Sequence, residues 1–340
     1  MRSGTRPLVP TLVATLVLTL TPAGGLDAAD GRAASPAIAA LTPVAGPPAS
    51  IGEPRRDRST SIDRSDRRAV ARAYRNRLLR GLSTPVRWDG APRRCRAGRI
   101  SPDAQRAALR AVNFMRSMGH LAPVRFTRTL SSKAQRTALI MSANDALSAA
   151  PRRSWHCWTR AGAEGASRSN AALFGRLGAA GPIVLYMDDP GRRNRAVGHR
   201  RWIMNPWATT MGNGSTTTAN ALLVVGREHR RRPVPEWVPW PTPGWFPDDL
   251  EPAGRWSLSA TDDRVSFRKA RVVVRDPTGD RLKVSVHRER LGYASPTVVF
   301  EVDGIRRSGA RRNYTVTVSH VDGPGAAALT YRYRVRLFDV

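Results

Sequence analysis

The spacing of apolar residues divides the chain into a mainly helical part and a β part. Ser101-Pro102-Asp103 has the N-cap, the proline and the acid of a helix start, and apolar side chains then recur at helical spacing as far as Gly119. A second helix is predicted over residues 131–147 and a short third one from about Ser169, whereas residues 219–226 alternate like a strand. Five further strands are predicted at residues 270–274, 282–286, 297–302, 314–319 and 330–337. The pattern predicts the α+β fold class.

Composition predicts the boundaries between the parts of the chain. The first residues combine arginines, an apolar run and small residues, which is typical of a cleaved export signal. A basic linker rich in Ala, Pro, Gly and Ser follows, and it ends in a possible amphipathic helix over residues 67–81, either packed on the fold or lying on a membrane surface. The predicted units are a signal peptide (1–29), a disordered basic linker (30–87), an α/β domain (88–228), a Pro/Trp-rich linker (229–254) and a β-sandwich of immunoglobulin type (255–340).

The charge of the chain is strongly positive. There are 56 Lys and Arg against 26 Asp and Glu, a formal net charge of +30, and all but three of the cations are arginine. Such a charge favours contact with polyanions, although no arginine run is interleaved with the aromatic residues that single-strand binders use, so nucleic acid is not the expected partner. No later stretch has the length of a membrane helix. The expectation is a secreted monomer.

The chain has two cysteines, Cys95 and Cys157. Cysteines of an exported protein usually pair, so a disulfide is expected, the alternative being two buried thiols. Neither cysteine has the flanking pattern of a zinc or redox site. The expected role is structural.

Candidate chemistry is concentrated between residues 156 and 199. His156, Glu164, Asp188 (or Asp189) and His199 are the residue types that bind zinc or a similar divalent ion, or act as general acid and base. Their spacing matches no compact metal motif, and no Gly-x-Ser-x-Gly elbow indicates a covalent nucleophile. Taken alone, a histidine that is followed by apolar residues, as His199 is, is more often anchored in a small core for a structural reason than catalytic.

The chain resembles the CAP superfamily, the domain of cysteine-rich secretory proteins, antigen 5 and pathogenesis-related protein 1, and within it the bacterial branch. The resemblance covers about residues 95–226. It depends on Val112-Asn113-Phe114-Met115-Arg116, Gly162-Ala163-Glu164-Gly165, Tyr186-Met187-Asp188-Asp189-Pro190-Gly191, Gly198-His199-Arg200 and Met211-Gly212-Asn213-Gly214. It implies an α-β-α sandwich with a cleft that holds two histidines and two acids.

The resemblance also implies a role for individual residues. His199 corresponds to the second histidine of the family, Glu164 to the acid of its Gly-Glu-Asn motif, and Asp188 to its other acid. The first histidine has two candidate positions. His156 fits by its distance from Glu164, whereas Ala149 fits by local context, and in that case the cleft lacks one ligand.

Three functions follow from these observations. The resemblance implies a secreted binding or effector module, with a small molecule, a divalent metal, a lipid or a cell-wall polymer as ligand, more than a catalyst. The first alternative is a metal-assisted hydrolase of peptide or cell-wall substrates, which requires His156, Glu164 and His199 to converge. The second alternative is an arginine-rich surface protein that binds polyanions.

Overall fold

The computed structural model describes residues 14–18, 61–287, 289–306, 312–325 and 327–340. Residues 14–18 are described by their backbone alone, as strand β1. Residues 30–60 of the predicted linker (30–87) lie outside the described residues. Within them, helices and three β-sheets alternate along the chain, which confirms the predicted α+β class.

The first helical segment covers the range predicted to be amphipathic. It consists of α1 (Arg67–Ala73), a π-helical stretch (Tyr74–Leu79) and α2 (Arg80–Leu82). Val70, Tyr74 and Leu78 are almost completely buried, and the Tyr74 hydroxyl donates to Asp249 Oδ2 at 3.0 Å. The apolar face of this segment is therefore packed against the rest of the protein.

Two long helices follow. Helix α3 (Pro102–Met118) begins as predicted, because the Ser101 side chain accepts a hydrogen bond from the backbone N–H of Ala104. Helix α4 (Arg128–Asn144) begins three residues before the predicted start, where the Thr127 side chain accepts from the N–H of Leu130. Short helices complete this part of the chain: α5 (Arg160–Ala166), α6 (Gly181–Asp188) and α7 (Gly198–Ile203).

A five-stranded sheet separates these helices into two layers. Its order is β1-β3-β5-β4-β2, with β1 (Ala14–Leu18), β2 (Arg125–Phe126), β3 (Ser169–Phe174), β4 (Thr210–Ser215) and β5 (Ala219–Leu223). Ala221 and Leu223 pack with α4, while Leu222 between them belongs to the apolar cluster that contains α3 and α6. Adjacent residues of β5 thus face opposite layers.

Strand β3 corrects a prediction. The short helix expected from about Ser169 is a strand, and all six of its residues are buried. A strand that is covered on both faces shows no alternation of polar and apolar residues, so its sequence does not display the period of two.

The rest of the chain forms two four-stranded sheets. One has the order β10-β11-β8-β6 and the other β7-β13-β12-β9. Their strands are β6 (Trp237–Trp240), β7 (Gly244–Pro247), β8 (Arg255–Ala260), β9 (Arg271–Arg275), β10 (Val284–Val286), β11 (Thr297–Val302), β12 (Asn313–Val321) and β13 (Leu329–Phe338). The predicted strands of this part are confirmed, while the immunoglobulin type of the sandwich stays a prediction.

The Pro/Trp-rich segment 229–254 is more ordered than a linker. It contributes β6 to one sheet, paired with β8, and β7 to the other, paired in parallel with β13. Trp240 and Trp256 are buried between the sheets, where the ring centroids of Trp240 and Phe246 lie 5.0 Å apart. Each sheet is thus completed by a strand from before residue 255.

One continuous apolar cluster joins the helical layer to the two four-stranded sheets, since it runs from Val70 and Met115 to Trp256 and Val335. Cys95 and Cys157 form a disulfide, which confirms the predicted pairing. Among the described residues, no helix combines the length and the apolarity that crossing a bilayer requires.

Candidate functional site

The centre of the candidate site is a buried ion-pairing contact between Asp189 and His199. The Oδ1 atom of Asp189 lies 2.7 Å from Nδ1 of His199, and its Oδ2 atom accepts the backbone N–H of the same residue at 2.9 Å. Both side chains are at most 1% exposed. When the Asp189 carboxylate is ionised it can only accept hydrogen bonds, and Nδ1 of His199 is then the donor.

The backbone turns sharply on both sides of this contact. Asp189 ends α6 with φ 51°, and Val197 precedes α7 with φ 44°. An aspartate adopts this left-handed region more readily than most residues, whereas a β-branched valine does so at a cost. The two turns bring the carboxylate back to the first residues of α7.

Buried groups also contact one face of the imidazole ring and the backbone of His199. The ring of Tyr186 is stacked on it, with centroids 5.6 Å apart and planes 18° apart. The Tyr186 hydroxyl donates to Asn220 Oδ1 at 2.9 Å, and Asn170 Nδ2 donates to the backbone carbonyl of His199 at 3.0 Å. Complete burial raises the pKa of Tyr186 well above its ordinary value. The surroundings therefore hold the imidazole in one orientation.

The two arginines after His199 connect this segment to the sandwich. Arg200 donates to the backbone carbonyls of Met187 and Arg255 and to the Ser257 hydroxyl. Arg201 donates to three carbonyls of the loop before β11, those of Arg290, Tyr293 and Ser295. Burial lowers the pKa of each guanidinium to about 10. Both cations are used for internal contacts.

A third buried arginine fixes the segment that follows α7. Arg116 of α3 donates to the carbonyls of Ile203, Asn205 and Ala208, at 2.8, 2.8 and 3.3 Å. Burial lowers its pKa to about 9. The position of α7 is thus set by α3 on one side and by the sandwich on the other.

Glu164 lies on the surface of α5, away from the buried pair. Its carboxylate contacts Lys133 Nζ at 2.8 Å and Arg160 Nε at 3.2 Å. The hydrogen bond from Lys133, followed by its charge and the bond from Arg160, lowers the pKa of this carboxyl. Glu164 is therefore occupied by two cations at an exposed position.

His156 lies beside the disulfide. Its backbone N–H and carbonyl are both hydrogen-bonded to the Asn144 side chain, and its Nε2 atom is 3.6 Å from the Sγ atom of Cys95. Cys95, His156 and Cys157 are the one group of three potential ligands found close together among the described residues. Two of the three are oxidised sulfurs, which lack the thiolate that binds a metal.

The four residues predicted as ligands do not form one group. Asp188 is half-buried at the end of α6, and it is Asp189, the alternative in the same motif, that contacts His199. His156 and Glu164 are exposed. The other candidate for the first histidine, Ala149, is partly buried against the apolar core. Because this arrangement does not fit a four-ligand site for a divalent ion, metal binding stays a prediction.

Comparison with known families gives one match. Residues 109–226 match the family model CAP, the cysteine-rich secretory protein family. The match supports a CAP domain in this part of the chain, and the matched residues include the Asp189–His199 pair and strands β2 to β5 of the five-stranded sheet. The comparison with curated proteins finds no match.

Two other motifs of the resemblance have a structural explanation. Asn113 of α3 exchanges two hydrogen bonds with the backbone of Val124, each of 2.9 Å. Gly212 and Gly214 lie so close to the α4 backbone that an added Cβ atom would be 2.2 Å from Leu130 C and Gln135 N, respectively. Both motifs are therefore explained by packing.

Proposed function

We propose that this chain is an exported CAP-domain protein that acts as a binding or effector module and not as a catalyst. The observation that carries the proposal is the burial of His199, whose ring is held by Asp189 and Tyr186. An imidazole that acts as general base has to reach a substrate proton directly or through one water. A ring that is at most 1% exposed serves better to shape the fold around a binding surface.

The hydrolase alternative requires three side chains to converge, and their positions do not support it. His156 groups with the disulfide sulfurs, Glu164 is paired with Lys133 and Arg160 on the surface, and His199 is internal. No step of a reaction can be assigned to this arrangement. The ligand classes that agree with the proposal are a small molecule, a lipid and a cell-wall polymer.

A zinc titration by calorimetry tests the proposal. We expect His156→Ala to leave any zinc binding unchanged, since its ring shares no site with His199. His229→Ala is the matched control, because His229 is also exposed and lies outside the predicted group. A single zinc site that both His156→Ala and His199→Ala abolish, in variants that keep the native thermal transition, would contradict the proposal and favour the hydrolase.

Export is the second part of the proposal. It is supported by the disulfide, which is typical of oxidising compartments, and by the CAP match. The signal peptide predicted at residues 1–29 overlaps β1, whose backbone pairs with β3. Mass spectrometry of the protein from the culture medium should therefore find a new N-terminus near residues 23–29 and no β1. An intact N-terminus in a cell-retained protein would contradict export.

A further inference from the structure

The outer face of the sheet β7-β13-β12-β9 carries rows of arginine. Strand pairing places Arg332 beside Thr317, Arg334 beside Thr315 and Arg336 beside Asn313. On the other side of β12, Arg275 pairs with Thr315 and Arg271 with Ser319. Paired residues of neighbouring strands point to the same face, so this face bears five arginines on β13 and β9 around a central row of hydroxyl and amide groups on β12.

Alternation along the strands confirms which face is outward. On β13, Arg332 and Arg334 are exposed, while Tyr333 and Val335, which alternate with them, are buried. On β12, Tyr314, Val316 and Val318 are buried, while the residues between them are open to solvent to varying degrees. The basic face is therefore the surface of the sandwich that points away from its core.

Within the described part of the chain, no acid of this face pairs with the five guanidinium groups. None of them forms an ion pair with a carboxylate of the described residues; Arg275 donates to the carbonyl of Gly279, and Arg336 lies over the ring of Trp245. The neighbouring acids lie at the ends of the strands and have other partners: Asp276 with Thr278, Asp322 with Lys269, and Asp339 with Arg312. The side chains of Asn313, Thr315 and Thr317 make no hydrogen bond to other described residues.

The spacing of these groups suits a linear polymer. Alternate residues of a strand are about 6.8 Å apart, and the rows on β13 and β9 are about 10 Å apart because one strand lies between them. A single extended chain lying along β12 would have hydroxyl and amide donors beneath it and guanidinium groups on both sides. Arginine binds phosphate oxygens through two parallel N–H groups, which matches a phosphodiester at each repeat.

At one edge the basic face meets a groove of about 700 Å³. Arg334 and Arg336 line it together with Arg64 and His120. Among the described residues that line the groove, the acid is Asp63, whose carboxylate accepts hydrogen bonds from the backbone N–H and hydroxyl of Ser65. The groove extends the positive surface beyond the sheet.

The composition of this face disfavours three other ligands: a membrane, a nucleic acid and a second copy of the chain. Among the described residues, the exposed large apolar side chains are those of Leu79, Val286 and Leu291, and none of them belongs to this sheet, so the face lacks the apolar surface that membrane insertion requires. The aromatic residue of the face, Trp245, lies at its edge between Arg67 and Arg336 and offers no row of stacking platforms for bases. A second copy of the chain would bring arginine against arginine.

We propose that this face binds a linear phosphodiester polymer with small, non-aromatic repeats, such as a polyol phosphate of a cell wall. The net charge favours binding of a polyanion, and the proposal assigns that binding to this face of the sandwich. It is independent of the function proposed for the CAP domain. A phosphodiester chain runs along β12, and the arginines of β13 and β9 neutralise its charges.

The test is a fluorescence titration of the full chain with a labelled synthetic oligo(glycerol phosphate) at several salt concentrations. We expect R332E/R334E to weaken binding by at least about tenfold and to lower the slope of log affinity against log salt by about one for each arginine removed. The control R192E/R193E changes the net charge equally at two exposed arginines outside this sheet. It should retain nearly wild-type affinity.

A second variant tests the contribution of the β12 hydroxyl groups to binding separately from that of the arginine charges. T315V/T317V keeps every charge, and we expect a several-fold loss of affinity with an unchanged salt slope. Equal losses in R332E/R334E and R192E/R193E would overturn the proposal, since they would mean attraction by bulk charge. So would tighter binding of oligothymidylate, which indicates nucleic acid, or of phosphatidylglycerol vesicles, which indicates a membrane. Thermal unfolding of each variant establishes that it is folded.

Discussion

Asp189 and His199 are joined twice, once through the imidazole ring and once through the backbone. One carboxylate oxygen lies 2.7 Å from Nδ1 and the other accepts the amide N–H at 2.9 Å. A carboxylate that holds both the ring and the backbone of one residue fixes the start of α7. This contact makes Asp189, and not Asp188, the structurally decisive acid of the motif.

Replacement of that acid should destabilise the protein. Asp189→Asn puts an amide NH₂ group against one of the two donors of His199, so one buried bond is lost and one repulsive contact is created. We expect a loss of about 3 kcal/mol in the free energy of unfolding, measured by denaturant titration. Asp145→Asn is the control, because Asp145 is exposed and its φ of 45° suits asparagine equally well. Equal effects of the two substitutions would contradict the assigned role.

Packing of α4 on the sheet should be sensitive to a single methyl group. In Gly214→Ala the new Cβ atom would lie 2.2 Å from the backbone nitrogen of Gln135, so helix and strand must separate. We expect a loss of stability of about 3 kcal/mol, seen as a lower midpoint of thermal unfolding. Gly175→Ala places its methyl group in open space and should leave the midpoint nearly unchanged. Wild-type stability of Gly214→Ala would show that the close approach is not maintained in solution.

The disulfide should stabilise the protein by constraining its unfolded state. It joins residues 62 positions apart, and closing a loop of that length removes about 4 kcal/mol of chain entropy from the unfolded protein. The double variant Cys95→Ser/Cys157→Ser should lose most of this stability, and wild type under reducing conditions should lose the same amount. Insensitivity of the wild-type denaturant midpoint to reductant would argue against the entropic role.

Stability should depend on pH through Asp248. Burial, and then the hydrogen bond with Asp339, raise the pKa of Asp248 from 3.8 to about 6, although Arg312 lies 2.6 Å away and opposes the shift. The folded state thus holds this proton more tightly than the unfolded state. The corresponding stability is present at low pH and is lost as the pH rises from 3.8 to about 6.

Asp248→Asn tests this dependence, because asparagine does not titrate. Between pH 3.8 and about 6 the wild type should lose stability relative to the variant as the pH rises. The measurement is the free energy of unfolding by denaturant at several pH values within that interval. A difference between the two proteins that is independent of pH would show that Asp248 titrates at its ordinary value.

Local signals predicted much of this fold. The start of α3 at Ser101 follows from its N-cap, and the strands of the sandwich follow from alternation. Strand β3 could not be recognised, because a fully buried strand carries no alternation. Strand β6 was obscured by Pro239, which is tolerated because β6 lies at the edge of its sheet.

Only those residues of the candidate site that are close together in the sequence could be predicted. The motif contained both Asp189 and His199, ten residues apart, but the spacing did not decide between Asp188 and Asp189. Asn170 and Asn220 reach the site from the sheet. Such partners are set by tertiary packing, and neither residue belongs to a recognisable motif.

The hydrogen bonds that Arg200 and Arg201 donate to the sandwich determine where this chain can be truncated. A fragment ending at residue 226, where the family match ends, would retain both cations and lose Ser257, Ser295 and the other acceptors that the sandwich provides. The two guanidinium groups beside α7 would then lose these acceptors and would face either solvent or newly exposed apolar surface. We therefore expect the region that matches the CAP family to be unstable when it is separated from the sandwich.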